Sequence, residues 1–321
     1  ATSSTVLPFN KYSFALSIVL YAFVLVKMGI FLRRNPAPCI VLKKGERTSM
    51  RRKKPLGTWL YALGIVLLTL ALVGCTSTAK QTDTLHQISL LNALLLGEYD
   101  GIISVGELKE LGDTGIGTFD TLEGEMILLE GTVYQAKADG TVVIPDDEVL
   151  VPFAMAVHFE ADIHEGSLAN IVDINALKAA LDQTIARTCN DFNRFYAAVI
   201  TGSFSSIRVR SVPGQTKPYP RLSAIAAEQK EYAFEDVEGT IVAFRCPQYV
   251  NGINMPTWHL HFLSSDASRG GHLLEATLSQ GNLRMGDMKT YQIQLPSSSS
   301  FASMDIANDL TKETHAVEGV K

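Results

Sequence analysis

The chain has 321 residues, with 28 Lys plus Arg against 33 Asp plus Glu and a net charge of −5, but residues 1–75 carry 11 basic and 1 acidic residue and residues 76–321 carry 17 basic and 32 acidic ones. The acidic remainder excludes a nucleic-acid binder, which needs basic patches to displace phosphate counterions. Its apolar content excludes a disordered chain, and four cysteines are too few for a disulfide-built scaffold.

In chain order, Tyr12 to Leu32 is long enough to span a bilayer, although Lys27 interrupts it. Residues 1–49 are therefore either an extra membrane span, followed by a basic loop from Arg33 to Lys54, or upstream sequence read through ahead of a start at Met50. The second is expected: the chain begins with Ala1, and Lys43-Lys44-Gly45-Glu46 can be encoded by a purine-rich stretch like a ribosome-binding site. Residues 50–75 have the three parts of a secretory signal: basic Arg51 to Lys54, apolar Trp59 to Leu72, and a small residue before the cut. Leu72-Val73-Gly74-Cys75 resembles a bacterial lipobox, which implies lipidation at Cys75; the alternative is an uncleaved anchor. Both place the acidic domain outside the cytoplasm, attached to the membrane by its N-terminal lipid or anchor. Residues 76–84 read as a polar tether, and 85–321 as the working domain, with a weak internal boundary near 190.

Leu85 to Leu96 has apolar residues at helical spacing and is predicted helical, as is Val105 to Leu111. Gly112 to Gly117 is predicted to be a turn-rich break. Glu125 to Val143 reads as two strands joined at Ala138-Asp139-Gly140. Leu150 to Phe159 is a further strand, and Ile174 to Arg187 an amphipathic helix. Strands follow over Phe195–Val212, Gly239–Phe244, Thr257–Leu263, His272–Leu278 and Lys289–Leu295. A serine-rich loop and a last helix over Met304 to Thr314 complete a mixed α and β (α/β) chain. Cys189 and Cys246 are left open as a disulfide pair.

Three of seven histidines fall within 14 positions: His259, His261 and His272. In Trp258-His259-Leu260-His261-Phe262 the histidines alternate with apolar residues, so on a strand both imidazoles share one face. A hairpin folded symmetrically about Asp266–Ala267 sets His272 opposite His261, with Cβ atoms about 5 Å apart. Three His ligands suit Zn²⁺ and leave a fourth position for water or substrate, which is the mark of a catalytic site. A cupin would be expected to carry Glu soon after the second His, where this chain has Ser264, Ser265 and Asp266. His86, His158 and His164 read as structural.

Several segments together resemble the bacterial α-acetolactate decarboxylases: Gly112-Asp113-Thr114-Gly115-Ile116-Gly117-Thr118-Phe119, Glu123-Gly124-Glu125-Met126, Val151-Pro152-Phe153-Ala154, Arg208 to Gln215, Lys217-Pro218-Tyr219-Pro220 and the His259–His272 hairpin. The resemblance covers about residues 85–320. It implies a two-sheet α/β fold, a homodimer, and zinc-dependent conversion of 2-acetolactate to acetoin and CO₂. It further implies zinc on His259, His261 and His272, an active-site arginine at Arg210, essential glutamates at Glu125 and Glu318, and a substrate-contacting threonine at Thr118. Thr114 departs from the family, which commonly has Phe there. Taken singly, Arg210 reads equally as a surface arginine, Glu125 as a solvated carboxylate and Glu318 as tail charge. A non-catalytic lipoprotein binding metal or ligand on the same hairpin, and a cupin-like metalloenzyme acting on another substrate, are the rival readings.

Overall fold

A computed structural model describes residues 82–318. The apolar spans, the signal segment with Cys75 and the tether up to residue 81 lie outside the described residues, as do the side chains of His164, Glu165 and Glu318. Among the described residues no helix is long and apolar enough to cross a membrane.

The first half runs β1 (Thr84–Ile88), α1 (Leu91–Leu95), β2 (Ile103–Ser104), α2 (Val105–Leu111), β3 (Thr114–Thr118), β4 (Glu125–Leu129), β5 (Thr132–Ala136), β6 (Val142–Val143), β7 (Leu150–Val151), β8 (Phe153–Val157) and β9 (His164–Ile171). There follow α3 (Ile174–Thr188), β10 (Phe195–Ser211), α4 (Leu222–Ala226), β11 (Lys230–Cys246), β12 (Thr257–Ser264), β13 (Gly270–Met288), β14 (Thr290–Gln294), α5 (Ser299–Ser303) and α6 (Thr311–Glu318). Two sheets carry the fold. One is seven-stranded in the order β14-β1-β8-β3-β4-β5-β6. In the other, β10, β11, β12 and β13 pair in a closed ring and β9 joins β13.

Local chemistry sets the element ends. Ser104 and Glu107 form a reciprocal capping box at the start of α2. Asp173 caps α3, whose Leu177, Leu181 and Ile185 recur at helical spacing and are fully buried against the ring. Ile127 of β4, Val242 and Phe244 of β11 and Leu263 of β12 share one apolar cluster, so the two sheets pack through it. α3 and β10, on either side of residue 190, also share a core.

The helix expected over 85–96 is half strand. Thr84–Ile88 is inserted between β14 and β8, and Ser89 at φ 63° turns the chain into the short α1. Strand pairing on both edges overrides helical periodicity here. The expected break at Gly112 to Gly117 is instead the buried strand β3. Its glycines serve close packing: a Cβ on Gly115 would lie 2.4 Å from the Met155 carbonyl oxygen, and one on Gly117 would lie 2.4 Å from that of Phe153. Glu125 to Val143 makes three strands, because Glu130-Gly131 forms an earlier turn with both residues at positive φ. Strand β9 and helices α4 and α5 were not expected. β11 and β13 run well beyond the predicted segments, to 17 and 19 residues. The last helix starts at Thr311 rather than Met304.

Gly117→Ala forces β3 away from β8 and is expected to destabilise the protein by about 1–3 kcal/mol. An unchanged urea midpoint would show that the strands do not approach this closely.

Candidate metal centre

The second sheet aligns the site in one hydrogen-bonded row. His261 of β12 pairs with His272 of β13, which pairs with Arg210 of β10. Symmetric closure of the hairpin produces this register: the Ser264 N–H donates to the Arg269 carbonyl at 2.8 Å, and the Asp266 carboxylate accepts from the Ser264 and Ser268 hydroxyls. His259, two residues before His261, falls on the same face.

The three rings converge. His259 Nε2 lies 3.0 Å from His272 Nδ1 and 3.2 Å from His261 Nε2. Ligand nitrogens around a tetrahedral Zn²⁺ at about 2.0–2.1 Å would be spaced by roughly 3.3 Å, so the trio matches such a shell. His261 Nδ1 is 2.7 Å from the Met126 carbonyl oxygen. A carbonyl only accepts, so Nδ1 carries the proton and Nε2 turns a lone pair to the cluster. Burial, reinforced by the Arg210 and Lys178 charges, pushes His259 down to about 3. Burial also holds His261 and His272 well below the usual histidine range. All three imidazoles are therefore neutral near neutral pH, the form that ligates metal. Among the described residues this is the group of three side chains able to hold an ion.

The first sheet closes the site from the other side. Thr118 ends β3 and pairs with Glu125, which begins β4. Glu125 is buried, with its Oε2 3.7 Å from His261 Nε2. The Thr118 hydroxyl donates to the Gly124 carbonyl at 2.7 Å, so towards the cavity it can only accept. Arg210 is 4% exposed; its Nη1 donates to Gln229 at 3.4 Å, and its Nε is buried without a partner. An unmet buried donor costs about 1–3 kcal/mol, which an anionic ligand would relieve.

These six residues line one cavity of about 50 Å³, several times the roughly 10–15 Å³ that one water needs. Its remaining walls are mostly apolar: Leu91, Leu94, Leu122, Phe153, Leu222 and Val317. A second, more polar cavity of about 370 Å³ is also lined by His259 and His272, together with Lys178 and Arg208. Arg208 is half-exposed and paired with Glu231 and Glu275, unlike the buried Arg210 two residues on.

The structure thus brings together Thr118, Glu125, Arg210, His259, His261 and His272. Glu318 ends α6 immediately after the cavity-wall residue Val317, with its side chain outside the described residues. Gln229, the Met126 carbonyl and the apolar walls were not anticipated. A backbone acceptor leaves no mark in the sequence, and the walls come from five separate segments. Cys189 and Cys246 are not bonded to one another: both are free thiols, and Cys189 Sγ lies 3.2 Å from the Tyr196 hydroxyl.

A family model described as alpha-acetolactate decarboxylase matches residues 85–308. The chain is 40% identical to the alpha-acetolactate decarboxylase of Methanosarcina mazei over 237 residues, covering 74% of this chain and 81% of the relative. It is 36% identical to that of Brevibacillus brevis, with the same coverage of 74% and 81%. The crystal structure of alpha-acetolactate decarboxylase from Bacillus subtilis strain 168 matches with a TM-score of 0.70 at 30% identity, over 73% of this chain and 99% of that one. On its sequence and its two-sheet mixed α/β fold alike, the chain belongs to the alpha-acetolactate decarboxylase family.

Proposed function

We propose that the chain decarboxylates 2-acetolactate to acetoin and CO₂ with Zn²⁺ held by His259, His261 and His272. The observation that carries this reading is the convergence of three neutral imidazoles beside a buried arginine with an unmet donor. The substrate has a ketone β to its carboxylate, so the electron pair left by CO₂ can move onto the ketone oxygen. Bound zinc would supply positive charge beside the ketone and hydroxyl oxygens, where negative charge develops.

The remaining work falls to the chain's own groups. Arg210 receives the substrate carboxylate on its unpartnered Nε and holds the breaking bond in place. Thr118, whose proton is committed to Gly124, accepts from the substrate hydroxyl. Glu125 and Glu318 are the candidates for delivering a proton to the nascent carbanion on one face. The apolar walls limit water, which strengthens every charge interaction inside.

The basic, apolar head ending in Leu72-Val73-Gly74-Cys75 supports an exported protein anchored through a lipid on Cys75, with residues 50–75 as its signal. A homodimer is proposed from the family resemblance. The rival reading is a non-catalytic metal-binding lipoprotein, or a cupin-like enzyme with another substrate. Incubation with 2-acetolactate and assay for acetoin separates the readings. Turnover that a chelator abolishes and zinc restores is expected, and no acetoin under any metal condition would sink the proposal.

His261→Ala should lose bound metal and activity together, the rate falling at least about a hundredfold; a metal-free variant with parental turnover would refute the site. Glu318→Gln should keep its metal and lose at least about tenfold in kcat, about 1.4 kcal/mol of barrier. A rate within about threefold of the parent, under about 1 kcal/mol, would remove Glu318 from the chemistry. Cys75→Ser should abolish lipid labelling and release the protein from membranes, as read by fractionation; unchanged labelling would exclude Cys75 as the lipidated residue.

A further inference from the structure

Helix α6 is eight residues long, too short to be stable by itself in water. It exists because it is docked. Val317 on its inner side is 4% exposed and shares an apolar cluster with Leu222 and Ile225 of α4. Both Leu222 and Val317 are walls of the metal-site cavity. Between these two walls runs an ion pair: Arg221 Nη1, just ahead of Leu222, lies 2.6 Å from Glu313 Oε1, one turn before Val317. The Ser223 hydroxyl adds a longer bond to the other Glu313 oxygen at 3.5 Å. At the start of α6, Asn251 donates to Thr311 Oγ1 at 3.1 Å. Among these polar ties the Arg221–Glu313 pair is the one between opposite charges.

We propose that Arg221 is a positioning residue: its ion pair with Glu313 latches α6 beside the cavity, so that Val317 closes the wall and the helix end that carries Glu318 is held next to it. The inference rests on the role of Glu318 given above. The latch side chains are 53% and 27% exposed, and exposed pairs add little to global stability. Its effect therefore falls on the placement of one helix rather than on whether the protein folds. An exposed latch is also weakened by salt.

The test uses the metal-loaded full chain. Arg221→Ala is expected to lower kcat about three- to fivefold, with KM within about twofold, metal content unchanged and Tm within about 2 °C of the parent. The Thr314 amide, which donates to the Leu310 carbonyl, should exchange faster in the variant. Raising salt from about 0.05 to 0.5 M should lower the parental kcat several-fold and leave that of Arg221→Ala flat. The swapped pair Arg221→Glu/Glu313→Arg should recover most of the loss that either single change produces. In a Glu318→Gln background, Arg221→Ala should add no further loss, because both act through one residue. Lys109→Ala, which breaks an equally short exposed pair with Asp147 at neither wall, should leave kcat at the parental value. Parental kcat and exchange in Arg221→Ala beside a crippled Glu318→Gln would overturn the latch alone, as would losses that multiply in the double variant. A fully active Glu318→Gln would overturn the role of the glutamate and the latch with it.

Discussion

The site depends on strand register. Arg210, His272 and His261 are neighbours because β10, β13 and β12 are paired in one frame. A slip of one residue in any of these strands would turn its contribution to the row to the other face. Gly271 protects that frame: it sits at φ 146°, and a Cβ there would lie 2.5 Å from the Arg210 carbonyl oxygen. The glycine lets β13 lie against β12 and β10 at the same point, which closes the ring and gathers the row. His259 is carried into the group by alternation along β12.

Register in the second sheet brings the rings together, and the first sheet orients one of them. The Met126 carbonyl fixes the His261 tautomer, and the residue before it, Glu125, presents its carboxylate 3.7 Å from the same ring. One strand of the first sheet thus supplies a backbone acceptor and a side-chain acid from adjacent residues. Ile127 follows on the face shared with Glu125 and packs against Val242 and Leu263 of the ring. Burial of this apolar contact keeps β4 against β12, so the sheet-to-sheet core is also the support of the site.

The hairpin was legible because its chemistry is local. His-x-His alternation sets the face, and the turn through Asp266 sets the register. The α3 helix was legible for the same reason, its apolar period and its Asp173 cap lying within one segment. Residues 84–96 were misread because the β1 edges are satisfied by β14 and β8, whose positions no local pattern encodes. Gly115 and Gly117 were misread because glycine marks a turn and a close strand approach alike. The end of β13 was missed where Gln280-Gly281-Asn282 imitates a turn, although those residues pair with β10 and β9. The unmet Arg210 Nε and the enclosing walls are properties of packing, and they exist only once distant segments meet.

Charge adds the last constraint. Residues 76–321 carry a balance of −15, which repels a carboxylate substrate at long range. The countering charges lie close in: Arg210 on the cavity, Lys178 on the second cavity that shares His259 and His272, and the ion that the imidazoles would hold. At short range, with apolar walls, each is worth far more than a surface charge of the same sign. On the proposed chemistry the charge on the ligand changes during the reaction. An anion meets the unpartnered Nε of Arg210, whereas CO₂ and acetoin are both neutral. The interaction that draws the substrate in is therefore lost as the bond breaks, and the products leave a site that no longer holds them by charge.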